Sequence, residues 1–274
     1  MAGVLQVSRS AYYAWFNRAP GARAEETKDL EYRIESIFKL GRGTYGSPRI
    51  HAQLALDGRQ ASPNRVARIM VKLGLKAKTK RKFKSTTDSK HDLPVAPNLL
   101  DQNFDVANRD EVWCSDITYL RTAEGWLYLA AVIDLYSRRI VGWSMRDNMR
   151  KGLVLDALDM ALRSRKPATG AIHHSDRGSQ YCSKAYRARL FANGLTASMS
   201  RRGNCYDNSV MESFFHTLKT EHVYFQSFQT KDEARQSIFE FIEVFYNRQR
   251  LHSTIGYLSP VMYEERAELS LSAV

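Results

Sequence analysis

Three carboxylates carry the chemistry that this sequence could do. Asp176 follows a short run of apolar and histidine residues and is succeeded at once by Arg-Gly-Ser. It therefore reads as the last residue of a strand entering a turn. Glu212 lies in SVMESFFHTLK at 209–219, where Val210, Met211, Phe214, Phe215 and Leu218 recur at helical spacing. It borders an apolar stripe and shares a helix face with His216 and Lys219. Asp116 sits inside EVWCSDITYL at 111–120, where strand alternation groups it with Val112, Cys114, Thr118 and Leu120. A carboxylate in mid-strand suits the strand poorly and is costly to bury without a cation, a charge that a metal ion would supply. Each acid also has a plainer reading. Ser209 and Glu212 fit a capping box, and Asp176 fits an ordinary turn.

With 35 residues between Asp176 and Glu212, the three acids resemble the Asp-Asp-Glu triad of integrase-type transposases and retroviral integrases. More narrowly, HSDRGSQY at 174–181, SMSRRGNCYDNSVMESFF at 198–215, YNRQRLHSTIGYLSP at 246–260 and YGSPRI at 45–50 resemble the OrfB-type transposases of bacterial insertion sequences. The resemblance implies a metal-dependent polynucleotidyl transferase that cleaves at the ends of its element and joins the freed 3' hydroxyl to target DNA. Asp116, Asp176 and Glu212 would be both catalytic residues and ligands of two Mg2+ or Mn2+ ions. Asp116 would bridge the pair, with Asp176 on one ion and Glu212 on the other, an arrangement compatible with hard oxygen donors and in-line phosphodiester chemistry. Lys219 matches a basic position of the family that holds DNA. The resemblance further implies double-stranded DNA as partner, a homo-oligomer, and a possible fusion to an upstream reading frame. Unlike retroviral integrases, the chain carries no zinc-binding N-terminal module. Two other readings stand beside the transposase: a nuclease that shares the acids but only hydrolyses, and a DNA-binding regulator that keeps the core as scaffold.

The elements that must position these acids follow from patterning. The chain has 274 residues and a net charge of +12, with 43% hydrophobic residues, enough for a sizeable core. Residues 1–100 hold 19 Lys and Arg against 8 Asp and Glu, whereas 101–274 hold 22 against 21. The positive field is thus confined to the first third, and its natural partner is nucleic acid. Residues 1–20 read as a cut-short helical remnant. Residues 25–75 read as a helix-turn-helix domain whose last helix, capped by Ser62-Pro63, turns Asn64, Arg65, Arg68 and Lys72 outward to meet DNA or to form a solvated charged face. A basic linker over 76–100 opens with six cations in nine residues, Lys80, Arg81 and Lys82 among them, and would grip phosphates without reading bases.

Residues 101–225 give three strands joined by short turns, which makes neighbours antiparallel, and then alternate helix with strand. The fold class expected is α/β, an RNase H-like mixed sheet of five strands with flanking helices behind a small all-α helix-turn-helix domain. A helical extension of the core fills 226–274, and its helix over 231–248 runs into Arg248, Arg250 and His252, which read either as functional cations or as a solvated helix C-terminus. Asp134 reads as a turn acid, and Asn204, Asp207 and Asn208 as the turn and cap before the Glu212 helix. His173 and His174 lack the cysteine pair of a zinc site. Three scattered cysteines exclude a disulfide framework. The longest apolar run, Trp126 to Ile133, is too short to span a bilayer, so the expected location is cytoplasmic and nucleoid-associated.

Overall fold

The computed structural model describes residues 8–17, 21–78 and 94–272, and the chain divides after Lys78 into two compact units. In the first, α1 (Arg9–Phe16) starts where the Ser8 hydroxyl accepts the Ala11 amide, and none of its residues is buried. Three longer helices, α2 (Ala22–Leu40), α3 (Ser47–Leu56) and α4 (Pro63–Lys72), pack around Leu30, Ile34, Ile50, Leu54, Val66 and Ile69. Ser62 caps α4 by accepting the Arg65 amide, and Pro63 fills the first helical position, where no amide donor is needed. The α2 helix starts at Ala22, after Gly21, because Ala22 to Glu26 are good helix formers.

The second unit is a five-stranded sheet in the order β3-β2-β1-β4-β5. Its strands are β1 (Val112–Thr122), β2 (Gly125–Asp134), β3 (Ile140–Arg146), β4 (Ile172–Ser175) and β5 (Thr196–Met199). The first three form an antiparallel meander, and β4 and β5 join it in parallel. This is the RNase H-like order, with the first and fourth strands side by side at the centre. Between β3 and β5 come α5 (Lys151–Ser164), α6 (Ser179–Cys182) and α7 (Lys184–Ala192). They bury Trp113, Ala130, Val132 and Val141 against Leu153, Ala157, Leu158, Tyr181, Tyr186 and Leu190. The odd-numbered residues of β1 belong to this face. The even-numbered ones point the other way, toward α8 (Ser209–Glu221) and α9 (Lys231–Phe239), which pack against β1.

The single helix expected over 231–248 instead changes pitch, passing from α9 into a π-helical segment, Glu240–Tyr246. This segment buries Phe241, Ile242, Phe245 and Tyr246. At its end the Asn247 side chain donates to the Ile140 carbonyl and accepts the Ile140 amide, pairing the edge strand β3 as a neighbouring strand would. The last helix, α10 (Pro260–Ser272), is fixed by Glu264, which takes ion pairs from Arg139 and Arg165. Arg250 is buried, with both ends of its guanidinium on Glu221. His252 is buried edge-on against Tyr246. The solvated-terminus reading therefore fails for these two and holds for Arg248, which is exposed.

The sheet and α5 come close at Gly142 of β3, where an added Cβ would lie 2.2 Å from the Ala157 carbonyl and 2.7 Å from the Ala161 amide. Both obstacles are helix backbone and cannot rotate aside. Gly142→Ala is expected to cost about 1–3 kcal/mol of stability, read as a lowered midpoint in urea denaturation.

Candidate active site

The parallel pairing of β1 with β4 sets Ser115 opposite Ser175. One step further along that register, Asp116 comes beside Asp176, the residue that leaves β4 for its turn. The Asp176 carboxylate accepts the Gly178 amide at 2.8 Å, and a Cβ on Gly178 would come within 3.0 Å of the same oxygen, so the turn closes over the acid because residue 178 has no side chain. Gln180 donates to the Met149 carbonyl and Arg177 to the Ser200 carbonyl, tying this loop to its surroundings on both sides.

Ser115, the neighbour of Asp116, is held twice. Its hydroxyl meets the Tyr181 hydroxyl at 2.9 Å, and its carbonyl accepts the Asn208 side-chain amide at 3.2 Å. Asn208 stands at the N-cap position of α8, so the second bond fastens the helix that carries Glu212 to the strand that carries Asp116. The capping-box reading of Glu212 fails here. Ser209 is already inside the helix, and no side chain caps it. Asp207, read as a turn residue, is fully buried and accepts the Arg201 backbone amide and guanidinium, Gln102 and Asn98. Asn204 does cap the short 3-10 turn that precedes α8.

Asp116, Asp176 and Glu212 are all partly buried. The Asp116 carboxyl is pushed well above the usual carboxylate range, first by burial, then by the negative charges of Asp176 and Glu212; the Ile117 amide and the Lys219 charge oppose the rise. Burial also raises Glu212. Lys219 is itself buried, which lowers its ammonium, while Asp116 pulls it back up. Its Nζ lies 4.9 Å from the centroid of the Tyr119 ring. Asp176, Glu212 and Lys219 thus all act on Asp116. Among the described residues no three His, Cys, Asp or Glu side chains close around a point as an ion's ligands would. The donor set nevertheless fits a hard divalent cation, since all three are carboxylates and their mutual repulsion is the quantity such an ion relieves.

Other residues read as candidates are placed elsewhere. His216, on the same helix as Glu212, is exposed. His173 meets the Tyr186 hydroxyl, and His174 bridges the hydroxyls of Ser198 and Ser200, so both are buried links between β4 and its neighbours. Burial drops them to about 3 and about 4. Asp134 accepts the Asp110 amide and the Ser137 amide and hydroxyl, as a turn acid does. In α4, Asn64 and Arg68 are exposed. Arg65 and Lys72, expected to face outward, lie at the surface and pair with Glu26 and Glu31 of α2. Lys80, Arg81 and Lys82 lie outside the described residues. Sequence reasoning missed the roles of Tyr181, Asn208 and Asp207, whose partners include residues 66, 93 and, for Asp207 besides Arg201, 105 and 109 positions away.

Integrase core domain models match residues 107–205 and 212–267, and an HTH-like domain model matches 24–83. These matches define the class, an integrase core preceded by a helix-turn-helix module. The chain is 48% identical, over 97% of its length and 98% of the relative's, to the insertion element IS600 uncharacterized 31 kDa protein of Shigella sonnei. It is 43% identical, over 97% of its length and 93% of the relative's, to transposase InsF for insertion sequence IS3A of Escherichia coli. The chain belongs to this family of insertion-sequence transposases. Among solved structures, a chain of the simian T-cell lymphotropic virus intasome in complex with PP2A regulatory subunit B56 gamma aligns over 80% of this chain and 74% of its own, at 13% identity and a TM-score of 0.48. No helix among the described residues is long and apolar enough to cross a membrane.

The buried histidines give the fold a pH signature. A histidine whose folded value lies below its unfolded 6.5 stabilises fully above that pH and loses the contribution as pH falls toward the folded value, because the unfolded chain takes up the proton first. Stability should therefore fall as pH drops from 6.5 toward about 4, and His173→Gln should flatten that slope in denaturation curves measured across this window.

Proposed function

We propose that this chain cleaves DNA at the ends of an insertion sequence and joins the freed 3' hydroxyl to a target strand, with Asp116, Asp176 and Glu212 as its catalytic residues. The observation that carries the reading is the electrostatic state of Asp116, a mid-strand carboxylate raised by burial and by two further acids drawn from distant parts of the chain. Nothing in the packing of β1 calls for a charge there, and perturbed acids gathered at strand ends are the usual mark of a reaction centre.

Asp116, Asp176 and Glu212 would hold Mg2+ or Mn2+, two ions in the full site. When bound, such ions activate the attacking oxygen and stabilise the departing one. The carboxylates give those ions hard oxygen donors on three rigid supports: mid-strand, strand end and helix. Partial exposure of all three leaves a face open for a phosphodiester. Lys219, the cation nearest the cluster by its effect on Asp116, would hold a phosphate against it. Under this reading residues 25–75 bind the element ends, 76–100 form the linker, 101–225 the catalytic core and 226–274 its extension. Asn64 and Arg68 are the residues of α4 free to contact bases, and Lys80, Arg81 and Lys82 add phosphate contacts. Arg65 and Lys72 would first have to leave their acidic partners on α2. The working form would be a homo-oligomer on double-stranded DNA in the cytoplasm at the nucleoid, with or without an upstream-frame partner.

The test is a strand-transfer assay with the full chain and a duplex ending in a free 3' hydroxyl at its own element's terminus. Joined product should form with Mg2+ or Mn2+ and disappear on chelation. It should also be lost in Asp116→Asn, Asp176→Asn and Glu212→Gln while DNA affinity stays nearly intact. Retained transfer in any one of the three would remove that residue from the assignment.

A further inference from the structure

The outer end of the β1–β2 hairpin carries a surface that the proposed chemistry does not use. The register pairs Tyr119 with Tyr128 and Arg121 with Trp126, so these four side chains stand on one face of the sheet. Tyr119 and Trp126 are 39% and 49% exposed, and their rings meet edge to face with centroids 5.1 Å apart. Exposure of two large aromatics side by side is unfavourable in water. Arg121 is exposed and makes no ion pair or side-chain hydrogen bond among the described residues. At the inner end of the patch Lys219 sets its ammonium over the Tyr119 ring, and the same ammonium acts on Asp116.

We propose that Tyr119, Trp126 and Arg121 form a platform that stacks unpaired nucleobases of the DNA strand being processed at the acids. The inference rests on the transposase reading of the site. A patch of aromatic faces with interleaved cations and no carboxylate among its four residues is complementary to a single strand, whose bases offer free π-faces and whose phosphates are anionic. Position favours the same occupant. Tyr119 lies three residues beyond Asp116 on β1 and on the opposite face of the strand, and Lys219 links the two, its ammonium over the Tyr119 ring and acting on Asp116. A strand whose phosphate sat at Asp116 would reach the platform past Lys219. Bases within a duplex have no face to give, so the platform would select an end that has opened.

The experiment uses the full chain without divalent ions, comparing a single-stranded oligonucleotide with a duplex of the element's terminal sequence at fixed salt. Tyr119→Ala and Trp126→Ala should each weaken single-strand binding about tenfold, change duplex affinity less than about twofold, and leave the circular dichroism melt unchanged. Trp126→Phe keeps an aromatic face and should restore single-strand binding. Single-strand affinity unchanged in both alanine variants, with duplex binding intact, would overturn the platform and leave the transposase reading standing. Variants that lower the oligomeric state in sedimentation without altering DNA affinity would also overturn it, assigning the patch to a second copy of the chain. A wild-type chain that binds neither DNA would overturn both readings.

Discussion

The fold holds a carboxylate where a strand least tolerates one. Asp116 stands in the middle of the central strand, partly removed from water, with Asp176 beside it and Glu212 above. Asp176 and Glu212 make Asp116 harder to ionise, and the buried Lys219 opposes them there. Left alone, such a cluster costs stability at neutral pH, since charges in low dielectric must be neutralised by protons or by a counter-ion. A protein retains an arrangement of this kind where the counter-ion and the anionic substrate arrive together.

The surrounding structure resists the relaxation that this repulsion would otherwise drive. Tyr181 and Asn208 grip Ser115 from opposite sides, so the strand cannot slide and α8 cannot back away. Asp207, the residue before Asn208, is fixed by Arg201, Gln102 and Asn98. Through Asn98 the segment arriving from the preceding residues is fastened to the base of the Glu212 helix. Residues 97–99 also run along β5, where the Met199 amide donates to Pro97 and the Leu99 amide to Ser198. Part of the stretch read as linker from its composition is therefore bonded to the core. Polar bonds of this kind specify position more than they add stability. For a site that must keep three acids in register, position is what matters.

Much of this was legible in the sequence, and the rest was not for identifiable reasons. The strand and helix order of the core follows from periodicity, because alternation along Val112–Thr122 and the apolar stripe of α8 are local signals. The adjacency of Asp116 and Asp176 follows from the order of elements and the long motifs around them. What periodicity cannot report is which polar residue meets which across the fold. Arg250 looked like a terminal cation until Glu221 appeared as its partner, 29 residues away. Arg65 and Lys72 looked outward on a helical wheel, yet α2 offers acids within reach of both. The pitch change after Phe239 was hidden for another reason: apolar residues at 241–242 and 245–246 fit an ordinary helix equally well, so the pattern carries no sign of it.

The central claim, that the three acids form one cation site, is tested most directly by thermal denaturation in the presence and absence of millimolar Mn2+ and without DNA. The account predicts that Mn2+ raises the melting temperature of the wild-type chain by mass action on the folded state. It also predicts that Asp116→Asn, which removes the most strained charge, melts higher than wild type in metal-free buffer at neutral pH and gains little from Mn2+. A wild-type chain indifferent to Mn2+, or an Asp116→Asn chain that gains as much as wild type, would contradict it.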